Sequence, residues 1–146
     1  MMQLNSSKEK ESYRRENCPL LLRVFYCENK HNPIIDYHHG KTPLNELQVH
    51  TWTDATFKEL SSLIKKINPV ARKKGTKLSF SFVFPEKNFP RFRMKEVGSI
   101  CTGQPCESDN STLRDCRFVI GDYLDVAIIE GQDKRVVNDR NYRNRD

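Results

Sequence analysis

Residues 46–75, ELQVHTWTDATFKELSSLIKKINPVARKKG, carry a strand, an amphipathic helix and a stop signal in one run. Glu46 to Trp52 alternates in the manner of a half-buried strand, with Leu47, Val49 and Thr51 inward and Gln48, His50 and Trp52 between them. Phe57, Leu60, Leu63, Ile64 and Ile67 then recur at helical spacing, while Lys58, Glu59, Ser62, Lys65 and Lys66 form the wet side. Thr53 or Asp54 is the expected cap. Asn68-Pro69 ends the helix, and Gly75 allows the turn into the next element. A helix of this length is marginal alone in water, so its apolar stripe requires a sheet to lie on.

The flanking sequence supplies that sheet. Upstream, residues 19–27 form a strand that is apolar on both faces, as expected of a central strand. Downstream, Lys77 to Phe84 places Leu78, Phe80, Phe82 and Phe84 on one strict face, with Ser79 and Ser81 opposite. Arg91 to Val97 and Tyr123 to Ile129 complete the set. In the last strand Leu124, Val126 and Ile128 point inward, and Tyr123, Asp125 and Ala127 outward. Residues 28–45, rich in turn formers, are too long for a plain hairpin connection and read as a functional loop. Residues 98–111 also read as loop, Leu113 to Phe118 as a short turn of helix, and Ile120-Gly121-Asp122 as a tight turn.

The order β-β-α-β-β-β is that of an α+β, ubiquitin-like β-grasp: a mixed sheet of about five strands packed on one main helix, with long loop insertions. The expected core is Leu20, Leu22, Val24, Leu47, Val49, Phe57, Leu60, Ile64, Leu78, Phe80, Phe82, Leu124, Val126 and Ile128. The expected organisation is a disordered segment over 1–17, one domain over 18–130 and a basic disordered tail over 131–146.

Composition narrows the function. The chain has 146 residues and a net charge of +6, thinly spread, which permits contact with nucleic acid or acidic partners without requiring it. No run approaches the ~18 apolar residues of a membrane span, and the first residues resemble no secretory signal, so an intracellular protein without membrane association is expected. The five cysteines, odd in number and without a CxxC pair, are expected to be free thiols.

Chemistry-bearing patterns are weak. His31, His38 and His39 share a loop that follows Cys27, yet their spacing matches no zinc pattern, and exposed loop histidines are the expected reading. Cys101 and Cys106 lack a second half-site for a metal. Asp122 and Asp125 read as ordinary solvated carboxylates. There is no phosphate loop, GxSxG or HExxH, so neither an enzyme, a metal nor a cofactor is expected. Arg72-Lys73-Lys74 reads as a solvated helix end. The chain ends Asn144-Arg145-Asp146 and not in the glycine that a covalent modifier needs, so a modifier is not expected unless processing removes the tail.

What remains is a docking protein, with Trp52, Phe89, Phe92 and Tyr123 as candidate aromatic anchors and Arg91, Arg93 and Lys95 as complementary charge. For Trp52 and Tyr123 the alternative is that they finish the core. Direct RNA binding through the Arg/Asn-rich tail (Arg140, Tyr142, Arg143, Arg145) is the alternative function.

Five blocks in register, CPLLLRVF (Cys18–Phe25), ELQVHTWTDATFKELSSLIKK (Glu46–Lys66), ARKKGT (Ala71–Thr76), RMKEVGS (Arg93–Ser99) and FVIGDYLDVAI (Phe118–Ile128), closely resemble the small Sin3-associated polypeptide family. The resemblance is looser over 28–45, 100–117 and both ends. It implies a ubiquitin-like fold and a non-enzymatic nuclear adaptor, with a cytoplasmic pool. One implied setting is the Sin3–histone deacetylase corepressor, which the family connects to sequence-specific repressors. The other is the apoptosis- and splicing-associated assembly with Acinus and the RNA-binding protein with a serine-rich domain, at the periphery of the exon junction complex, with RNA contacted only indirectly or weakly.

Overall fold

The computed structural model describes residues 2–87 and 91–131. Its elements are α1 (Met2–Glu16), β1 (Leu20–Glu28), β2 (Glu46–Thr51), α2 (Phe57–Ile67), β3 (Lys77–Pro85), β4 (Phe92–Cys101) and β5 (Tyr123–Ile129), with short 3-10 segments at Ile34–Gly40, Val70–Arg72 and Glu107–Asn110. The strands form one sheet in the order β2-β1-β5-β3-β4. β5 runs parallel to β1, and the other pairs are antiparallel. This is the expected mixed α+β, ubiquitin-like arrangement, with β1 internal as its two apolar faces required.

Strand periodicity places alternate residues on opposite faces. On one face Leu22, Val24, Leu78, Phe80, Phe82, Leu124, Val126 and Ile128 pack against Phe57, Leu60 and Ile64 of α2. Each of these side chains, fully buried, contributes on the order of 1.5–3 kcal/mol. Leu47 is only partly buried at the margin; the other expected core residues are buried.

The cap of α2 is Thr56, whose Oγ1 accepts from Glu59 N at 3.2 Å, and not Thr53 or Asp54. Thr53 and Asp54 belong instead to a turn closed by Ala55 N donating to Trp52 O. β4 extends to Cys101, beyond the expected end at Val97. A bulge opposite Phe80 and Ser81 lets Val97 fall out of register, so the strand continues with its alternation shifted by one residue. Gly98 sits at that shift because a Cβ there would come within 2.8 Å of Ser108 Oγ.

Two expected irregular segments are ordered. Residues 1–17, expected to be disordered, contain α1, whose last turns dock by polar contacts: Tyr13 Oη lies 2.7 Å from Thr53 Oγ1, and Arg14 donates to Asp54 Oδ1 and Glu59 Oε2, both at 3.1 Å. The 28–45 loop folds over the second face of the sheet. Tyr37, at 0% exposure, joins Phe25 and Val83 there in a separate small core. The expected tail, 131–146, lies outside the described residues apart from Gly131.

Candidate partner-docking surface

Period-2 alternation divides the expected anchors. Phe92 and Met94 pair with Pro85 and Val83 on the face covered by the 28–45 loop. Arg93 and Lys95, opposite Phe84 and Phe82, project from the α2 face. Phe89 lies outside the described residues, and Arg91 is exposed.

The α2 face is incompletely covered. At 1.5 Å per residue the 11-residue α2 spans about 16 Å, whereas the nine residues of β3 extend about 30 Å. Phe82 and Phe84 lie towards the uncovered end. The 113–120 segment turns back over them: Phe118 N donates to Leu113 O, and the Phe118 ring meets Phe82 edge-on at 5.4 Å. Arg117 takes a positive φ of 63° to make this turn, a conformation costly for a residue with a Cβ. A groove of about 380 Å³ remains between Phe82, Phe84, Pro85, Cys116 and Val119. Val119 and Ile120, at 64% and 72% exposure, extend its apolar surface outward.

The rim is mainly basic. Lys95 and Arg117 line the groove, and Arg93, paired with Glu86 at 3.2 Å, stands beside it. Among the described residues Asp122 is the one carboxylate lining it; burial lifts its pKa above the usual carboxylate range although it accepts from Val119 N at 3.1 Å. Burial also pushes the Cys116 thiol upward. An extended peptide with apolar anchors and acidic neighbours is the complement of this surface.

On the opposite face Tyr123 belongs to an aromatic cluster. It stacks on Phe92 at 6.1 Å and on Tyr37 at 5.8 Å, and meets Phe25 edge-on at 5.3 Å. Arg23 lies over Tyr123 and Phe25 while pairing with Glu46 at 2.5 Å. Tyr123 and Phe92 thus finish a small core while keeping part of their surface open.

Asp125 corrects the sequence reading of a solvated carboxylate. It is fully buried and accepts from Tyr37 Oη, from Asn32 Nδ2 at 2.9 Å and from the His31 ring at Nδ1, 2.7 Å away. His31 Nε2 lies 3.0 Å from Ser79 Oγ, which donates to Glu96. The order Asp-His-Ser is that of a hydrolase triad, but Ser79 is 4% exposed within the sheet and spends its proton on Glu96, so the chain of bonds fastens the loop to the sheet. Burial and the adjacent Asp125 carboxylate hold the Tyr37 phenol far above its usual range, as a permanent donor. Loop histidines are therefore not uniformly exposed: His31 is half-buried here, and His38 Nδ1 accepts from Phe92 N. Among the described residues no group of three His, Cys, Asp or Glu side chains converges as a metal site would require.

Trp52 sits apart, half-buried beneath α1. Its Nε1 donates to Asn17 O at 2.9 Å, and the Arg14 guanidinium lies 4.9 Å from the ring centroid. The structure brings together Phe92 with Tyr123, and Arg93 with Lys95, but not the two pairs with each other or with Trp52. Sequence reasoning missed Phe84, Val119 and Ile120 as surface. The available signal was the mismatch in length between the helix and the third strand.

Among the described residues no helix is long and apolar enough to cross a membrane. A model of the family described as Sin3 associated polypeptide p18 (SAP18) matches residues 13–128. The histone deacetylase complex subunit SAP18 of Homo sapiens is 46% identical over 127 residues, covering 86% of this chain and 83% of that protein. Its Drosophila melanogaster counterpart is 46% identical over 119 residues, covering 82% and 79%. The probable histone deacetylase complex subunit SAP18 of Caenorhabditis elegans is 42% identical over 141 residues, covering 94% and 85%. The match spans β1 to β4, α2, the groove-forming turn and β5 up to Ile128, and places the chain in the Sin3 associated polypeptide p18 family.

Proposed function

We propose that this chain is a non-enzymatic nuclear adaptor within a Sin3–histone deacetylase corepressor, joining the deacetylase to sequence-specific repressors. The observation that carries the reading is the series of relatives named as histone deacetylase complex subunits, each aligned along most of this chain. The same adaptor serves the splicing-associated assembly with Acinus and the RNA-binding protein with a serine-rich domain. Its working surface is the groove of Phe82, Phe84 and Val119, with Arg93, Lys95 and Arg117 attracting acidic residues beside the apolar anchors of a partner peptide. The uncovered end of an otherwise well-packed sheet supports this choice.

The test is size-exclusion chromatography of the full chain with a Sin3–deacetylase preparation, and separately with Acinus and its RNA-recognition partner. Co-elution that is lost in a Phe84→Asp/Val119→Asp variant of unchanged Tm is the expected result. Equal binding by the variant removes the groove as the site while leaving the adaptor role. Failure of the native chain to join either set removes the adaptor role. Tight, steeply salt-dependent binding of single-stranded RNA in that case would favour direct RNA recognition.

A further inference from the structure

Cys101 closes β4 at the edge of the sheet, and Cys106 caps the 3-10 segment Glu107–Asn110. Only Thr102 to Pro105 separate them, and Gly103, at φ +89°, turns the chain back on itself. The turn is held from both sides. Thr102 N donates to Thr76 O at 2.8 Å and its Oγ1 to Ala71 O at 2.8 Å, while Cys106 N donates to Asp109 Oδ2 at 3.2 Å.

This brings the two cysteines into contact. The backbone N–H of Cys101 donates to Cys106 Sγ at 3.2 Å. Disulfides require that closeness and approach of the two side chains. Two residues earlier on the same edge, Ser99 N donates to Ser108 Oγ at 3.4 Å. Side chains of the 102–110 segment thus cover the outward N–H groups of an edge strand, which would otherwise be free to pair. Cys106 is both the near end of that cover and its only thiol.

We propose that Cys101 and Cys106 are a thiol pair that closes into an intramolecular disulfide on reaction with a low-molecular-weight disulfide, clamping the 102–110 segment onto the edge of β4. In the first step a thiolate of the pair attacks one sulfur of the small disulfide and expels its other half as a thiolate. In the second step the neighbouring protein thiolate attacks the mixed disulfide and expels the remaining half. The protein loses two protons and two electrons; the small disulfide gains them and leaves as two thiols. The neighbouring Cys101 side chain, followed by burial, holds the Cys106 thiol above its usual range, so this thiol rests protonated until challenged. Cys18, Cys27 and Cys116 are free thiols as well and serve as internal comparisons.

The test uses the full chain, purified reduced, exposed to oxidised glutathione and then alkylated with iodoacetamide. Cys101 and Cys106 share the tryptic peptide Glu96–Arg114. The expected product is that peptide unalkylated, without glutathione, and lighter by two hydrogens. Cys101→Ser and Cys106→Ser should each leave the remaining partner glutathionylated or alkylated. The oxidised native chain should melt about 5 °C higher than the reduced one, as closing a short loop in a domain of this size predicts, and dithiothreitol should reverse the rise. Recovery of the native peptide with both cysteines alkylated, both carrying glutathione, or either one bridged to Cys18, Cys27 or Cys116 would overturn the proposal.

Discussion

Tyr37→Phe isolates the bond that holds the 28–45 loop to the sheet. The substitution removes one oxygen from a fully buried ring and leaves its packing against Phe25 and Tyr123 in place. Asp125 keeps Asn32 and His31 as partners, so the carboxylate is not orphaned. The lost contact is a buried hydrogen bond to a charged acceptor, for which about 1.5–3 kcal/mol is the usual contribution. Urea denaturation at pH 7 should show that loss, with the slope unchanged. The dependence on pH is the sharper test. Tyr37 in the folded state titrates far above the ordinary tyrosine value near 10, raised by burial and by Asp125. Its contribution is therefore complete below pH 10. Above that, the unfolded chain releases the phenolic proton while the folded chain retains it, and stability falls with rising pH. The gap between native and Tyr37→Phe proteins should shrink by about 1.4 kcal/mol from pH 9 to pH 11. A gap that stays constant over this interval, or a loss below about 0.5 kcal/mol at pH 7, would refute the reading of a buried donor bound to Asp125.

Other substitutions probe the remaining parts. Phe80→Ala removes a fully buried ring that lies 4.9 Å from Phe57, and should cost about 3–5 kcal/mol in the same denaturation assay. Thr56→Ala deletes the cap of α2 and should cost about 1 kcal/mol, measured as a shift in the urea midpoint. Trp52→Ala should leave Tm within a few degrees while exposing residues 2–17 to limited proteolysis, because the ring anchors Asn17 and Arg14; unchanged cleavage would show that α1 is held elsewhere.

Periodic elements were legible because burial imposes a period. The stripe of α2 and the alternation of β1, β3 and β5 fixed both the elements and their inward faces. The rest depends on contacts without a period. Tyr37 lies in a polar loop and is buried by residues distant in sequence. The helix α1 carries no apolar stripe, and its docking rests on Arg14 and Tyr13, so sequence offered no reason to order it. Asp125 occupies an outward position of its strand, and only the folded loop turns that position into an interior one. The candidate surface was half legible as geometry: Arg93 and Lys95 share one face of β4, whereas alternation sends Phe92 to the other.

The position of β5 has a consequence for the birth of the molecule. It is the last of the described strands to leave the ribosome, yet it is the central one, flanked by β1 and β3. Its parallel pairing, Val24 beside Leu124, joins residues at opposite ends of the domain. Until residues 123–129 emerge, a nascent chain can assemble only the β1–β2 and β3–β4 hairpins, each with an inner edge open. Tyr37 and His31 meanwhile await a carboxylate not yet synthesised. Completion of the domain thus waits for β5, and the long separation of its pairing partners makes folding slow and the unfinished chain prone to aggregate or to need a chaperone.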